Sequence, residues 1–197
     1  MRKILMYPVL LMLVILTTGA TFSQNDYKKI TLDDIYKKNK FRQKSVQGLR
    51  SMNDGIHYTV LEGRSAIVKY SYKSGNPVDT LLNLNDYKDL SAIGNYAFSE
   101  DEHKILIATD IHPIYRRSFT ARYFIFNRDK ETLEPLSKKG AQKLATFSPD
   151  ASKVGFVRNN NLFVKNLVKG EINQITHDGR HNHIINGTTD WVYEEEF

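Results

Sequence analysis

Three glutamates, Glu194, Glu195 and Glu196, stand side by side in the stretch DWVYEEEF, directly behind Trp191, Val192 and Tyr193. Neighbouring carboxylates repel, and burial raises their pKa values, so a run of like charge is most cheaply a solvated face. The apolar aromatic lead-in TDWVY points the other way, to a held position. A fixed carboxylate pair is a receptor for a cation, either a metal ion or a substrate ammonium. The second candidate is Arg116 in DIHPIYRRSF, followed by Arg117 and flanked by Tyr115 and Phe119. A guanidinium offers a planar fork of donors suited to a carboxylate or a carbonyl oxygen; on a surface loop it is also an ordinary solvated arginine. His177, His181 and His183 lie beside Asp178 in THDGRHNHI, a spacing that could bind a metal, although the segment is turn-like and the chain has no cysteine. Asn186-Gly187-Thr188 is a glycosylation sequon, without meaning in a bacterium. There is no G-x-S-x-G elbow, no H-E-x-x-H and no P-loop. No serine or histidine sits in a context that would activate a nucleophile. The expectation is a binding site with no metal, no cofactor and no catalytic residue within this chain.

The elements that must carry these residues are short and β-rich. IHYTVL, AIVKYSY, KILIAT, ARYFIFN, KVGFVRN and NLFVKNL are full of β-branched and aromatic residues, and turns such as EGRS, KSGNP and RNNN separate them. They read as antiparallel strands. They also repeat as a group. SMNDGIHYTV, SEDEHKILI and SPDASKVGFV each show a serine, then an aspartate, then a strand. The aspartates Asp54, Asp101 and Asp150 are 47 and 49 residues apart. Second strands centre near Val68, Phe124 and Phe163, and third strands fall near Leu81, Leu136 and Ile175. Several strands in a unit of about 40–50 residues mark propeller blades; an evenly spaced sandwich is the rival. From Asp101 to Phe124 is 23 residues, against 14 and 13 in the flanking units. The first hairpin of the second unit is therefore about ten residues longer, with DIHPIYRRSF as the extra segment, and long loops in compact domains are often functional.

Ahead of the strands, ITLDDIYKKNKF predicts one short helix. Thr31 is placed to cap it, with Asp34 as reciprocal partner, and Ile30 and Ile35 are spaced for a hydrophobic staple. Acidic residues lead and lysines follow, which suits the helix dipole.

The first stretch, MRKILMYPVLLMLVILTTGATFSQN, combines Arg2 and Lys3 with an apolar run from Ile4 to Leu16 and small residues before a cut after Ser23. It reads as a secretory signal peptide, which predicts a periplasmic or extracellular protein. An apolar run of about 13 residues is shorter than the ~20 a spanning helix needs, so a membrane partner is expected only if the segment stays uncleaved. Cleavage would leave 26 basic and 22 acidic side chains, a net charge of +4. The basic residues are scattered, with no aromatic-interleaved stripe, so nucleic acid is not an expected partner. Without cysteine, stability must come from packing.

NGTTDWVYEEEF resembles the glutamate motif of the dipeptidyl peptidase IV family, serine exopeptidases of the prolyl oligopeptidase group. IYRRSFTARYFIFN is similar to that family's arginine loop, FSPDASKVGFVRNNNLFVK to its following blade, and GLRSMNDGIHYTVL with the preceding helix to the N-terminal part of bacterial members. The resemblance spans residues 27–197. It implies an eight-bladed propeller over an α/β-hydrolase domain, and release of N-terminal dipeptides whose second residue is Pro or Ala. It implies that Glu195 and Glu196 hold the substrate's α-ammonium and that Arg116 holds the carbonyl oxygen of its first residue. Arg117 and Phe119 stand where the family has His and Tyr, which leaves the arginine's role intact and alters the packing of the loop.

The combined expectation is an all-β chain in three parts. Residues 1–23 form a signal peptide, 24–45 an N-terminal helical segment, and 46–197 an incomplete propeller of about three four-stranded antiparallel blades. The remaining blades, the hydrolase domain and its Ser-His-Asp triad are expected outside this chain, which resembles a truncated N-terminal fragment. The partners implied are peptides with a free N-terminus, and a homodimeric parent stays open. The rival function is a non-catalytic propeller that binds peptides or partner proteins.

Overall fold

The computed structural model describes residues 28–43, 45–87, 90 and 92–196, with the Glu195 side chain excepted. The expected signal peptide and its cut after Ser23 lie outside the described residues. Among the described residues no helix is long and apolar enough to cross a membrane. The chain divides between Ser45 and Val46 into two compact units.

In the first unit the expected helix is a single π-helical turn, Asp33–Lys37. Its start is the reciprocal cap read from the sequence. Asp34 N donates to Thr31 Oγ1 at 3.2 Å, and Thr31 N donates back to Asp34 Oδ2 at 3.2 Å. The Thr31 hydroxyl, donating to Asp34 Oδ2 at 2.8 Å, and then the Thr31 amide hold the Asp34 carboxyl below its ordinary pKa. Ile30 and Ile35 are both exposed.

The second unit is built from three four-stranded antiparallel sheets, the blades of a partial propeller. The first is β1 (Arg50–Ser51), β2 (His57–Glu62), β3 (Ala66–Ser71) and β4 (Pro77–Asn83). The second is β5 (Asn95–Phe98), β6 (Lys104–Pro113), β7 (Phe119–Asn127) and β8 (Thr132–Pro135). The third is β9 (Lys143–Phe147), β10 (Lys153–Arg158), β11 (Asn161–Asn166) and β12 (Ile172–Gln174). Strand order follows chain order in each blade, so every connection within a blade is a hairpin, the cheapest closure available to a strand.

The repeated aspartates build the first turn of each blade. In the second and third blades, Ser99 and Ser148 donate to Asp101 Oδ1 and Asp150 Oδ1 at 2.5 Å. The same hydroxyls accept from the amides of Lys104 and Lys153 at 3.0 and 2.9 Å. In the first blade the shared serine is out of step. Met52 N bonds His57 O as Ser99 N bonds Lys104 O, so Met52 holds the serine position. Ser51 instead meets the Tyr72 hydroxyl at 2.6 Å. Asp54 compensates through His57 Nδ1 at 2.6 Å and Lys69 Nζ at 3.7 Å.

The blades pack through two apolar clusters, and the middle blade contributes to both. Ile105, Ile107, Phe124 and Phe126 face the first blade, where they meet Met52, Ile67, Leu81 and Leu82. Leu106, Ala108, Tyr123 and Ile125 face the third blade, where they meet Val154, Phe156 and Phe163. Side chains alternate along a strand, so a strand buried on both faces must be apolar at every position. That is why ILIA and YFIF show no polar alternation. Polar bonds cross the first interface as well: Thr59 Oγ1 meets the Tyr96 hydroxyl at 2.9 Å, and Arg50 lies 4.1 Å over the Tyr96 ring.

On the first blade's face turned away from the second blade, tyrosines cover one another in part. Tyr58 stacks on Tyr70 at 5.3 Å and tilts against Tyr72 at 4.8 Å, so that Tyr58 is buried while Tyr72 stays 45% exposed.

The Asp54 turn predicts an acid sensitivity. The bond from His57, followed by the backbone amides of Ile56 and His57, lowers the Asp54 pKa to about 2. A carboxyl depressed in the folded state stabilises it above the unfolded pKa, about 4, and loses that contribution as pH falls through the folded value. Asp54→Asn should therefore flatten the dependence of the unfolding midpoint on pH between about 4 and 2. An identical slope in wild type and variant over that window would show that the turn does not need the charge.

Candidate functional site

The segment expected as a long loop is mostly strand. β6 runs to Pro113 and β7 starts at Phe119, so DIHPIYRRSF extends the hairpin into an arm and only residues 114–118 form its tip. The alternation is masked by a bulge. Register shifts between Thr109 and His112, and Asp110 takes a left-handed φ of 48°. Beyond the bulge the strands pair again at His112–Thr120 and Pro113–Phe119. The tip is closed by Ile114 N to Ser118 O at 2.8 Å, and Arg116 and Arg117 are exposed on it.

Gln142, in the link from the second blade to the third, fixes the base of the arm. It exchanges both backbone bonds with Ala121, at 2.9 and 2.8 Å. Its side-chain carbonyl accepts from Tyr123 N at 3.1 Å, and its amide donates to Gly140 O. The residue is 1% exposed, and its side-chain amide has partners at both ends, as burial requires.

Glu194 reaches the cleft beside the arm because the chain after β12 folds back over the third blade. Asn161 Oδ1 accepts from Gly179 N at 3.0 Å, and Asn186 N donates to Asn160 O at 3.1 Å. Gly187, at φ 76°, lies so close to the blade that a Cβ there would be 2.8 Å from Val157 Cγ2; only glycine fits. Asp190 then starts α1 (Trp191–Glu195), accepting from Val192 N at 3.0 Å and Tyr193 N at 3.2 Å.

The arm and this helix line one cleft of about 1100 Å³, with Ile114 and Tyr115 from the tip, Trp191 and Glu194 from α1, and Lys143 and Arg158 from the third blade. The three glutamates are not equivalent. Glu194 is half-buried: Oε1 accepts from Thr188 Oγ1 at 3.5 Å, and Oε2 is enclosed without a hydrogen-bond partner. Glu196 is exposed. The Glu195 side chain lies outside the described residues. Ser118 Oγ, beneath the arginine tip, is the other enclosed side-chain atom without a partner among the described residues. The sequence reading named Glu194 with its neighbours but gave the role to Glu195 and Glu196; the spacing of Glu194, one helical turn from Asp190 and Trp191, is the signal that sets it apart. His181 and His183 also line the cleft. Among the described residues no group of three or more metal-ligating side chains comes together.

The family model of the dipeptidyl peptidase IV (DPP IV) N-terminal region matches residues 99–197, half of the chain. The chain belongs to that family. Curated relatives of this dipeptidyl peptidase IV N-terminal region include a probable dipeptidyl-aminopeptidase B of Sclerotinia sclerotiorum, 30% identical over 194 residues. The corresponding protein of Neurospora crassa is 33% identical over 198 residues. Each alignment takes in 90% of this chain and 21% of the relative, so the chain spans about a fifth of their length. The crystal structure of Porphyromonas gingivalis dipeptidyl peptidase 4 superposes with a TM-score of 0.73 at 41% identity, covering 86% of this chain and 25% of that one.

The cap of α1 gives a direct test of how the glutamates are held. Asp190→Ala removes both side-chain bonds to the first turn, a loss of about 1 kcal/mol. Amide exchange at Val192 and Tyr193 should then quicken about fivefold. Unchanged exchange would mean that the packing of Val192 and Glu194, not the cap, holds the helix.

Proposed function

We propose that this chain is the substrate-recognition part of an exported dipeptidyl peptidase IV-like serine exopeptidase that releases N-terminal Xaa-Pro and Xaa-Ala dipeptides. The observation that carries the reading is the shared cleft. Tyr115 of the arm and Glu194 of α1 line one cavity, although nearly eighty residues separate them. Arg116 and the glutamates after Glu194 are their immediate neighbours in sequence.

The chemistry follows from the substrate. A free peptide N-terminus is a cation, and a carboxylate pair at Glu195 and Glu196 fixes it by charge-assisted hydrogen bonds. Arg116 holds the carbonyl oxygen of the first residue with its planar fork. Ammonium and carbonyl together set the distance from the chain end to the scissile bond, so the enzyme counts two residues before cutting. The nucleophile and its base belong to the rest of the protein.

The test uses the full-length protein that carries this segment. Glu195→Ala, Glu196→Ala and Arg116→Ala should each lower kcat/KM on Gly-Pro substrates by about tenfold to a hundredfold, the worth of one charge-assisted contact. Arg117→Ala should stay near wild type. An N-acetylated Gly-Pro substrate, which has lost its cation, should be turned over at a small fraction of the free peptide's rate. Near-normal kcat/KM in both glutamate variants, or equal rates on blocked and free peptides, would remove the ammonium-receptor role.

A further inference from the structure

The second and third blades repeat one another closely enough to compare position by position. Ile105 pairs Phe126 in the second blade as Val154 pairs Lys165 in the third. The next pairs, Lys104–Asn127 and Lys153–Asn166, precede matching turns. In those turns Asn127 Oδ1 accepts from the amides of Asp129 and Lys130, and Asn166 Oδ1 from those of Val168 and Lys169. Lys165 therefore occupies the position of Phe126. Phe126 packs edge-on against the Tyr87 ring at 5.9 Å, in the groove between the first and second blades. The fold is satisfied there by an apolar residue.

Lys165 is 8% exposed. Its Nζ donates to Pro135 O at 2.8 Å, a neutral acceptor, and no carboxylate lies within ion-pair distance among the described residues. Burial lowers its pKa, and the charge of Glu134 offsets this only in part. An ammonium has three donors, so two are left for something else. They border a cleft of about 670 Å³ between the second and third blades. Arg158 lines the same cleft, stacked over Phe163 at 4.2 Å. Leu136, Phe163 and Ile172 supply apolar walls, Lys138 and Lys139 are exposed on its lining, and the exposed Glu134 is the one carboxylate that lines it.

We propose that this groove is a binding site for a small organic anion, a carboxylate on a compact apolar body, with Lys165 as the buried counter-charge. The carboxylate accepts from Nζ and from the Arg158 guanidinium, while the body lies against Phe163 and Ile172. A carboxylate on an apolar body is preferred to phosphate because Phe163 and Ile172 line the cleft beside the cations. The groove shares Arg158 with the arm-and-helix cleft, whereas Lys165 lines the groove and not that cleft; the proposal does not depend on the peptidase reading.

Benzoate is the probe, titrated calorimetrically into the full-length protein at constant ionic strength, with benzamide as its neutral counterpart. Benzoate should bind saturably, be displaced only weakly by inorganic phosphate, and bind at least about tenfold more tightly than benzamide, since a charge-assisted bond is at stake. Lys165→Met should abolish benzoate binding, melt at or above the wild-type temperature without ligand, and keep wild-type kcat/KM on Gly-Pro substrates. No saturable binding of benzoate, equal binding of benzamide, tighter binding of phosphate, or benzoate affinity retained in Lys165→Met would each overturn the proposal. The benzamide comparison needs no variant and decides the matter even if Lys165→Met fails to fold.

Discussion

Gln142 ties the second blade to the third, and the cleft depends on that tie. Without it the arm would be a long two-stranded hairpin with its tip beyond the sheet, a form that is marginal alone. By pairing with Ala121 and accepting from Tyr123, Gln142 makes the arm's return strand part of the interface with the third blade. The third blade in turn is the surface over which residues 175–190 are laid, and Asp190 begins the helix that carries the glutamates. Arm and helix are thus both referred to one rigid body. Leaving Tyr123 N without its acceptor in a dry interface would cost more than the bond itself gains.

Much of the fold was legible because burial writes itself into residue type. The six core strands were visible as β-branched and aromatic runs, and the middle blade's unbroken apolar strands follow from its two packed faces. The Asp101 and Asp150 turns were legible too, since Ser-x-Asp at fixed distance before a strand has one economical hydrogen-bonding solution. The first blade showed the limit of that rule, because Ser51 has the right type in the wrong register and Met52 takes the place.

The arm was misread as a loop because the bulge at Asp110 breaks the period of two, and Pro113 looks like a terminator. The hold on the glutamates was hidden for a different reason. It rests on close approaches of Gly179 and Gly187 to the third blade, and a glycine's neighbours cannot be read from its own position. Distance in sequence concealed the remainder: that Tyr115 and Glu194 share a wall is a property of blade packing, not of either motif.

The edge strands are the meagre ones. β1 has two residues and β12 three, against ten in β6. The one long edge, β4, starts with Pro77, carries Asp79, and pairs with β3 through two register shifts. A strand from another molecule adds sideways only where it finds a straight row of unpaired amides and carbonyls, and brevity, proline, charge and bulges each remove part of that row. The blades are therefore poor templates for cross-β growth, and whatever associates with them is steered to their faces.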